Sequence, residues 1–270
     1  MEILLLAFYA VGYFVLGGAD IGVGMLLPYL GRTADERRRV LSTITPLFLG
    51  NEVWLVAVAG VLTGAFPLLE GRLLSGLYPV VVALLIGWIV RDVGLWTRGR
   101  VDRAAWRAMC DTAVVAGSWT VVLSWGWMFA GFLSGVVDRP LTEPVALLGI
   151  PAIVVLFATH GLAFAALRLR GRLRSRARGL SGTSGAGVTF ALTSGGMALL
   201  CVFAGLRLPL AQSTADPATL ALLTPALLVL TPLLVAAQVW MWWMFSRPEP
   251  ARAPSTVTAP SPHERSEYKP

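Results

Sequence analysis

The chain has 270 residues, 56% of them hydrophobic and 14% charged, and a mean hydropathy of +0.71. Soluble domains carry about 25% charged residues, so this composition excludes an ordinary soluble enzyme and places much of the surface in lipid. The net charge of +7 comes from arginines that flank apolar runs. No nucleic-acid-binding motif accompanies them, which sets a nucleic-acid partner aside.

Crossing about 30 Å of hydrocarbon takes about 20 apolar residues as a helix. On that window the sequence predicts an all-α polytopic membrane protein with about seven transmembrane helices. They fall at about 3–29, 43–68, 73–96, 107–136, 144–167, 187–208 and 218–246. Strands are excluded because isolated ones leave their backbone groups unpaired in lipid, and the alternation of a β-barrel is absent. The first run follows only Met1 and Glu2, with no basic leader and no small-residue cleavage site, so it reads as a mature span. Residues 1–246 form the predicted transmembrane domain. Residues 247–270 are Pro-rich, polar and contain His263, and they read as a disordered tail.

The first span carries Asp20 in LGGADIGVGMLLP. An ionisable group at membrane depth is costly and is a functional candidate by default. Gly17 and Gly24 share its helical face, where small residues let a neighbouring backbone approach. Gly18 and Gly22 form a second small-residue pair. Two readings stand: a packing seam around one satisfied acid, or a role in proton or ligand handling.

The second span contains GNEVWL, with Asn51, Glu52 and Trp54. At 1.5 Å per residue, Asp20 and Glu52 fall at similar depth on the two arms of a hairpin, so Asp20, Asn51 and Glu52 are candidate neighbours. Two acids sharing a low-dielectric site make a proton relay. The alternative is an Asn–Glu helix clamp.

Farther along, Asp111 opens the fourth span as a helix-start charge. Trp119, Trp125 and Trp127, like Trp240, Trp242 and Trp243 near the end, suit packing or an interfacial belt. His160 in the fifth span is a candidate haem ligand or a hydrogen-bonding core residue. Cys110 and Cys201 lie in different spans and suggest no disulfide framework. The Gly/Ser-rich segment 179–187 reads as a flexible link.

Nineteen of the 22 basic residues fall on one side of this arrangement, with Arg72, Arg139 and Arg207 on the other. The positive-inside rule then puts the N-terminus outside and the C-terminus in the cytoplasm, in a cytoplasmic-membrane protein. The Arg168–Arg178 cluster also suits anionic lipid headgroups. Nucleotide-binding glycine loops and Cys/His metal spacings are absent from the sequence.

Several segments together resemble subunit II of cytochrome bd quinol oxidases. They are GGADIGVGMLLP, ERRRVLSTITP, GNEVWLVAVAG with AFP after it, SGLYPVVVALLIGWIVRDVGLWTR, WRAMCDTAVVAGS, LFATHGLAFAALRLR and the aromatic QVWMWWMFSR. The resemblance implies a haem-free subunit that stabilises a haem-bearing subunit I. That partner carries haems b558, b595 and d and couples quinol oxidation to oxygen reduction in aerobic respiration. It further implies a cytoplasmic proton path through carboxylates of the first two helices and, in some members, a structural quinone. Asp20, Asn51, Glu52 and Trp54 are the proton-path or polar-anchor residues it points to, and no catalytic or metal-ligating residue is expected on this chain. Where the family carries further acids, this sequence has Gly17, Leu49 and Trp96. The match breaks after Arg178, which implies one complete four-helix bundle and a depleted second one. A non-catalytic assembly subunit is the alternative role, and a small proton-coupled carrier is a further one.

Overall fold

The computed structural model describes residues 1–181 and 185–246. The predicted tail, with His263, and residues 182–184 of the Gly/Ser stretch lie outside the described residues. The described residues form α1 (Glu2–Met25), α2 (Leu27–Leu30), α3 (Ala34–Leu41), α4 (Phe48–Ala65), α5 (Pro67–Gly76), α6 (Tyr78–Thr97), α7 (Ala104–Leu133), α8 (Pro144–Leu147), α9 (Gly149–Arg168), α10 (Gly171–Ser181), α11 (Ala186–Arg207) and α12 (Pro217–Ser246). Seven of them, α1, α4, α6, α7, α9, α11 and α12, are long and apolar enough to cross a membrane. The chain is an all-helical, multi-pass membrane protein.

Proline sets several span ends differently from the hydropathy window. It lacks an N–H and is favoured in the first turn of a helix. Pro28, Pro67 and Pro79 open α2, α5 and α6, so α1 stops at Met25 and α4 at Ala65. The predicted start of the second span, Thr43–Leu47, is a run of turns. The Gly/Ser stretch is shorter than expected, because residues 179–181 close α10 and residues 186–187 open α11.

Helix α1 lies at the centre and packs against α4, α7, α9 and α11. Together α1, α4, α6 and α7 make the first bundle, with α9, α11 and α12 placed around it rather than closed into a second bundle. Two glycine seams set the closest approaches. A Cβ on Gly161 of α9 would run into the backbone of Gly22, and one on Gly117 of α7 would meet the Gly87 carbonyl of α6. Small residues win here because lipid offers no hydrophobic drive between helices, so close van der Waals packing carries the association. Gly18, the expected partner of Gly22, faces Met197 instead.

Helix α12 is different. Gln238 is the one buried residue among Pro217–Phe245. Its attachments are polar: Thr224 donates to Glu2 (2.6 Å), Tyr9 bonds Thr231 (2.5 Å) and Gln238 bonds Asn51 (2.8 Å). The first two pairs share one sequence offset of 222, so α1 and α12 run parallel. The three rungs on α12 recur every seven residues.

The basic loops are tied by ions. Arg98 grips Asp111 through two nitrogens (2.5 and 3.3 Å), and Arg37 adds a third contact at 3.4 Å. Asp111 is therefore a buried clamp on α7 rather than a helix-start charge. Thr33 caps α3 by accepting from the Glu36 N–H. Glu36 in turn takes two bonds from Arg176 of α10, whose guanidinium also reaches the Leu30 carbonyl. Leu173 and Ala177 bury the apolar stripe of α10 beside this clasp.

Two predictions follow from these contacts. Gly161→Leu should force α1 and α9 apart, at about 1–3 kcal/mol or more. Its detergent-extracted protein should unfold at lower temperature than Gly60→Ala, where a Cβ meets nothing. The Arg176 hydrogen bonds hold the Glu36 carboxyl at about 2, below its ordinary 4.5. A depressed acid contributes stability that is present above the unfolded value and lost as pH falls through the folded one. Amide protection in α3 and α10, relative to the intrinsic exchange rate at each pH, should therefore fall as pH drops from about 4.5 toward about 2, and Glu36→Gln should flatten that fall.

Candidate functional site

Asp20 lies five residues before the end of α1, and Asn51 and Glu52 lie in the opening turns of α4. The two arms meet there. Asn51 donates Nδ2–H to Asp20 Oδ2 at 2.7 Å and to the Leu16 carbonyl at 3.2 Å. Its Oδ1 accepts from Gln238 Nε2 at 2.8 Å, and Gln238 Oε1 accepts from Trp54 Nε1 at 3.1 Å. The result is a continuous chain, Trp54 to Gln238 to Asn51 to Asp20, spanning α4, α12 and α1.

Glu52 points elsewhere. Its Oε1 accepts from Trp88 Nε1 (2.8 Å) and from Arg91 (3.2 Å), both on α6. Arg91 also binds Asp92 at 2.8 Å and lies over the Phe48 ring at 5.8 Å. Asn51 and Glu52, adjacent in sequence, thus work in different directions, Asn51 toward α1 and α12 and Glu52 toward α6. An α-helix explains this, since consecutive side chains diverge by about 100° around the axis.

A cavity of about 10 Å³ joins the two halves, lined by Tyr13, Gly17, Asp20, Ile21, Glu52, Trp88, Arg91 and Val121. That is room for a single water. Asp20 and Arg91 are 1% and 2% exposed. Each keeps one buried atom, Asp20 Oδ1 and Arg91 Nε, with no hydrogen-bond partner among the described residues. Within the protein Asp20 is thus bonded through one of its two oxygens. On the same face, Gly24 makes room for the Ser118 side chain of α7 and Gly17 sits over its own Tyr13 ring.

His160 lies fully buried on α9 and stacked on Phe190. Nε2 is 2.8 Å from the Val15 carbonyl and Nδ1 is 2.7 Å from the Thr193 hydroxyl. A carbonyl only accepts, which assigns the proton to Nε2 and leaves Nδ1 to accept from Thr193. Both nitrogens make helix–helix bonds in this arrangement. Among the described residues no group of three or more His, Cys, Asp and Glu is placed to hold a metal ion.

Sequence reasoning missed Arg91, Trp88, Asp92 and Gln238. Arg91, one of the nineteen basic residues assigned to the cytoplasmic side, sits six residues inside α6 rather than in the loop after it. The signal was present in GWIVRDVGLW, where two adjacent charges interrupt an apolar run. Removing Arg91 from the loop count leaves the asymmetry of the basic residues intact.

Seven lipid-length helices that enclose an acid, two amides and an arginine define a polytopic membrane protein with an internal polar site. Its family follows from comparison with known proteins. Residues 1–211 match the family of cytochrome bd terminal oxidase subunit II, and the chain belongs to that family. It is similar to the cytochrome bd-I ubiquinol oxidase subunit 2 of Escherichia coli strain K12, with 33% identity over 189 residues, 65% of this chain and 50% of that protein. It is also similar to the cytochrome bd ubiquinol oxidase subunit 2 of Bacillus subtilis strain 168, with 35% identity over 185 residues, 65% of this chain and 55% of that one. The chain thus spans about half the length of the curated relatives it matches.

Removing one partner of a buried ion pair leaves an uncompensated charge, at about 3–5 kcal/mol. Arg91→Met should therefore destabilise the first bundle by about that amount in thermal unfolding. Adding Glu52→Gln and Asp92→Asn should recover much of the loss, as a mutant cycle would show.

Proposed function

We propose that this chain is subunit II of a cytochrome bd-type quinol oxidase. It stabilises a haem-bearing subunit I and contributes a short proton path from the cytoplasmic side. Family membership carries the first half of this reading. The cavity shared by Asp20, Glu52 and Arg91 carries the second, because it brings two acids and a cation to one water-sized space. An Asp20 oxygen without a protein partner is free to exchange a proton with water there. Glu52 lies on the far wall, held by Trp88 and Arg91. The basic loops support placing the N-terminus outside and the C-terminus in the cytoplasm.

Haem supplies the redox chemistry in this reading and belongs on the partner. What this chain's residues do is hold a carboxyl at a fixed place and keep its charge compensated by Arg91. A structural quinone and membrane lipid are further partners that the family suggests.

A second reading, a non-catalytic assembly subunit, is favoured by Gly17, Leu49 and Trp96, where the resemblance expects acids. Co-purification with the neighbouring membrane gene product separates the possibilities. Reduced-minus-oxidised spectra should show haems b and d in the purified complex. If no haem protein co-purifies, and deleting the chain leaves membrane haem content unchanged, the oxidase reading fails. In the complex, Asp20→Asn with Glu52→Gln should slow oxidase turnover about tenfold, about 1.4 kcal/mol of barrier, at unchanged haem content. Unchanged turnover with a lower yield of complex would establish the assembly reading instead.

A further inference from the structure

The last helix buries a single side chain among Pro217–Phe245, and that side chain is an amide. A lone buried polar residue on an otherwise lipid-facing helix calls for a reason, since replacing it by an apolar residue would remove a desolvation cost. The reason lies in the direction of its bonds. Trp54 Nε1–H is a donor only, so the atom of Gln238 facing it at 3.1 Å is the carbonyl oxygen. That leaves the Gln238 NH₂ toward Asn51, whose facing atom must then be its own oxygen, at 2.8 Å. Asn51 is thereby turned with its NH₂ toward Asp20, and the contact at 2.7 Å falls on Oδ2. An indole N–H on α4 thus dictates, through two amides, which way the last donor in the chain points. The Leu16 carbonyl, also an acceptor only, holds the same Asn51 NH₂ at 3.2 Å.

We propose that Gln238, held by Trp54, is the positioning residue of Asp20. It fixes the Asn51 amide so that Oδ2 is bonded and Oδ1 stays open to the cavity shared with Glu52 and Arg91. Reversing either amide would turn an oxygen toward the carboxylate and pull Asp20 away from that geometry. The two oxygens of one acid therefore differ: Oδ2 is bonded to Asn51, while Oδ1 is buried without a protein partner among the described residues, in a side chain that lines the water-sized space. This deepens the proton-path reading and rests on it for its functional meaning, while the orientation itself rests on geometry alone.

The test uses the full chain with any co-purifying subunit in lipid nanodiscs, with aspartate isotope-labelled at the side-chain carboxyl carbon. Infrared difference spectra then report Asp20 in either protonation state, assigned by its loss in Asp20→Asn. Gln238→Met keeps the side-chain length and removes both amide bonds. It should shift and broaden the Asp20 band, because Asn51 loses the bond to its oxygen and is held only by the longer contact to the Leu16 carbonyl and by Asp20 itself. In the protonated form the carbonyl stretch should move to higher wavenumber. Trp54→Phe removes the N–H together with part of the ring that packs against Phe8 and Tyr9, leaves the Gln238–Asn51 bond in place, and should cause a smaller shift in the same direction. An Asp20 band unchanged in both variants overturns the proposal, as does a loss of thermal stability without a spectral shift. Slowed turnover is not required for the positioning claim. A shifted band with unaltered oxidase turnover would uphold the positioning and count against the proton path.

Discussion

Hydrocarbon has no hydrogen bonds to offer, and that constraint orders this structure. A polar atom facing lipid costs several kcal/mol, so each polar side chain inside the spans must find protein. Asp20, the one acid in the interior of α1, is 1% exposed, and meeting its demand recruits Asn51. Asn51 in turn leaves an oxygen to satisfy, which recruits Gln238, whose own oxygen recruits Trp54. One buried carboxylate thereby binds three helices. Opposite it, Arg91 draws α4 onto α6 through Glu52.

The same constraint explains why so apolar a helix as α12 has a defined place at all. Leu, Val and Ala facing a membrane gain nothing by leaving lipid for protein. The three rungs at Thr224, Thr231 and Gln238 supply both attachment and register, since slipping α12 by one residue would carry all three off the α1–α4 groove. Thr224 and Thr231 meet Glu2 and Tyr9 at the seven-residue spacing of two parallel helices keeping one seam face to face, and Gln238, seven residues farther on, meets α4 instead. In the first bundle the balance differs. There the Gly87–Gly117 seam lets α6 and α7 approach, as Gly22 and Gly161 do for α1 and α9, and close packing adds to the polar bonds of Asp20, Glu52 and Asp111.

The spans were legible because hydropathy and length measure the same property that selects them in a membrane. Their ends were less so, because proline in a first turn sets an end that a sliding window averages away, as at Pro28 and Pro67. The pairing of Asp20 with α4 was readable from depth along a hairpin. What depth does not give is azimuth. Asn51 and Glu52 share a depth and point to different helices, and only the packing of α6 and α12 says which. Gln238 was hidden for a related reason: in sequence it is one polar residue near an interface, and its meaning comes from a helix nearly two hundred residues away.

Azimuth also changes what the missing acids mean. Gly17, Leu49 and Trp96 stand where the resemblance expects carboxylates, and in sequence the three look like equal losses from one path. In the structure they are not equal. Leu49 and Trp96 are 52% and 54% exposed, on the outer faces of α4 and α6, where apolar side chains suit lipid or a partner helix. Gly17 alone lines the cavity with Asp20 and Glu52. An acid there would add a negative charge to a space whose cation, Arg91, already serves Glu52 and Asp92. Glycine adds neither side-chain bulk nor a further negative charge to a cavity with room for one water. The inner site is thus reduced by a single residue, and the other two changes belong to the surface.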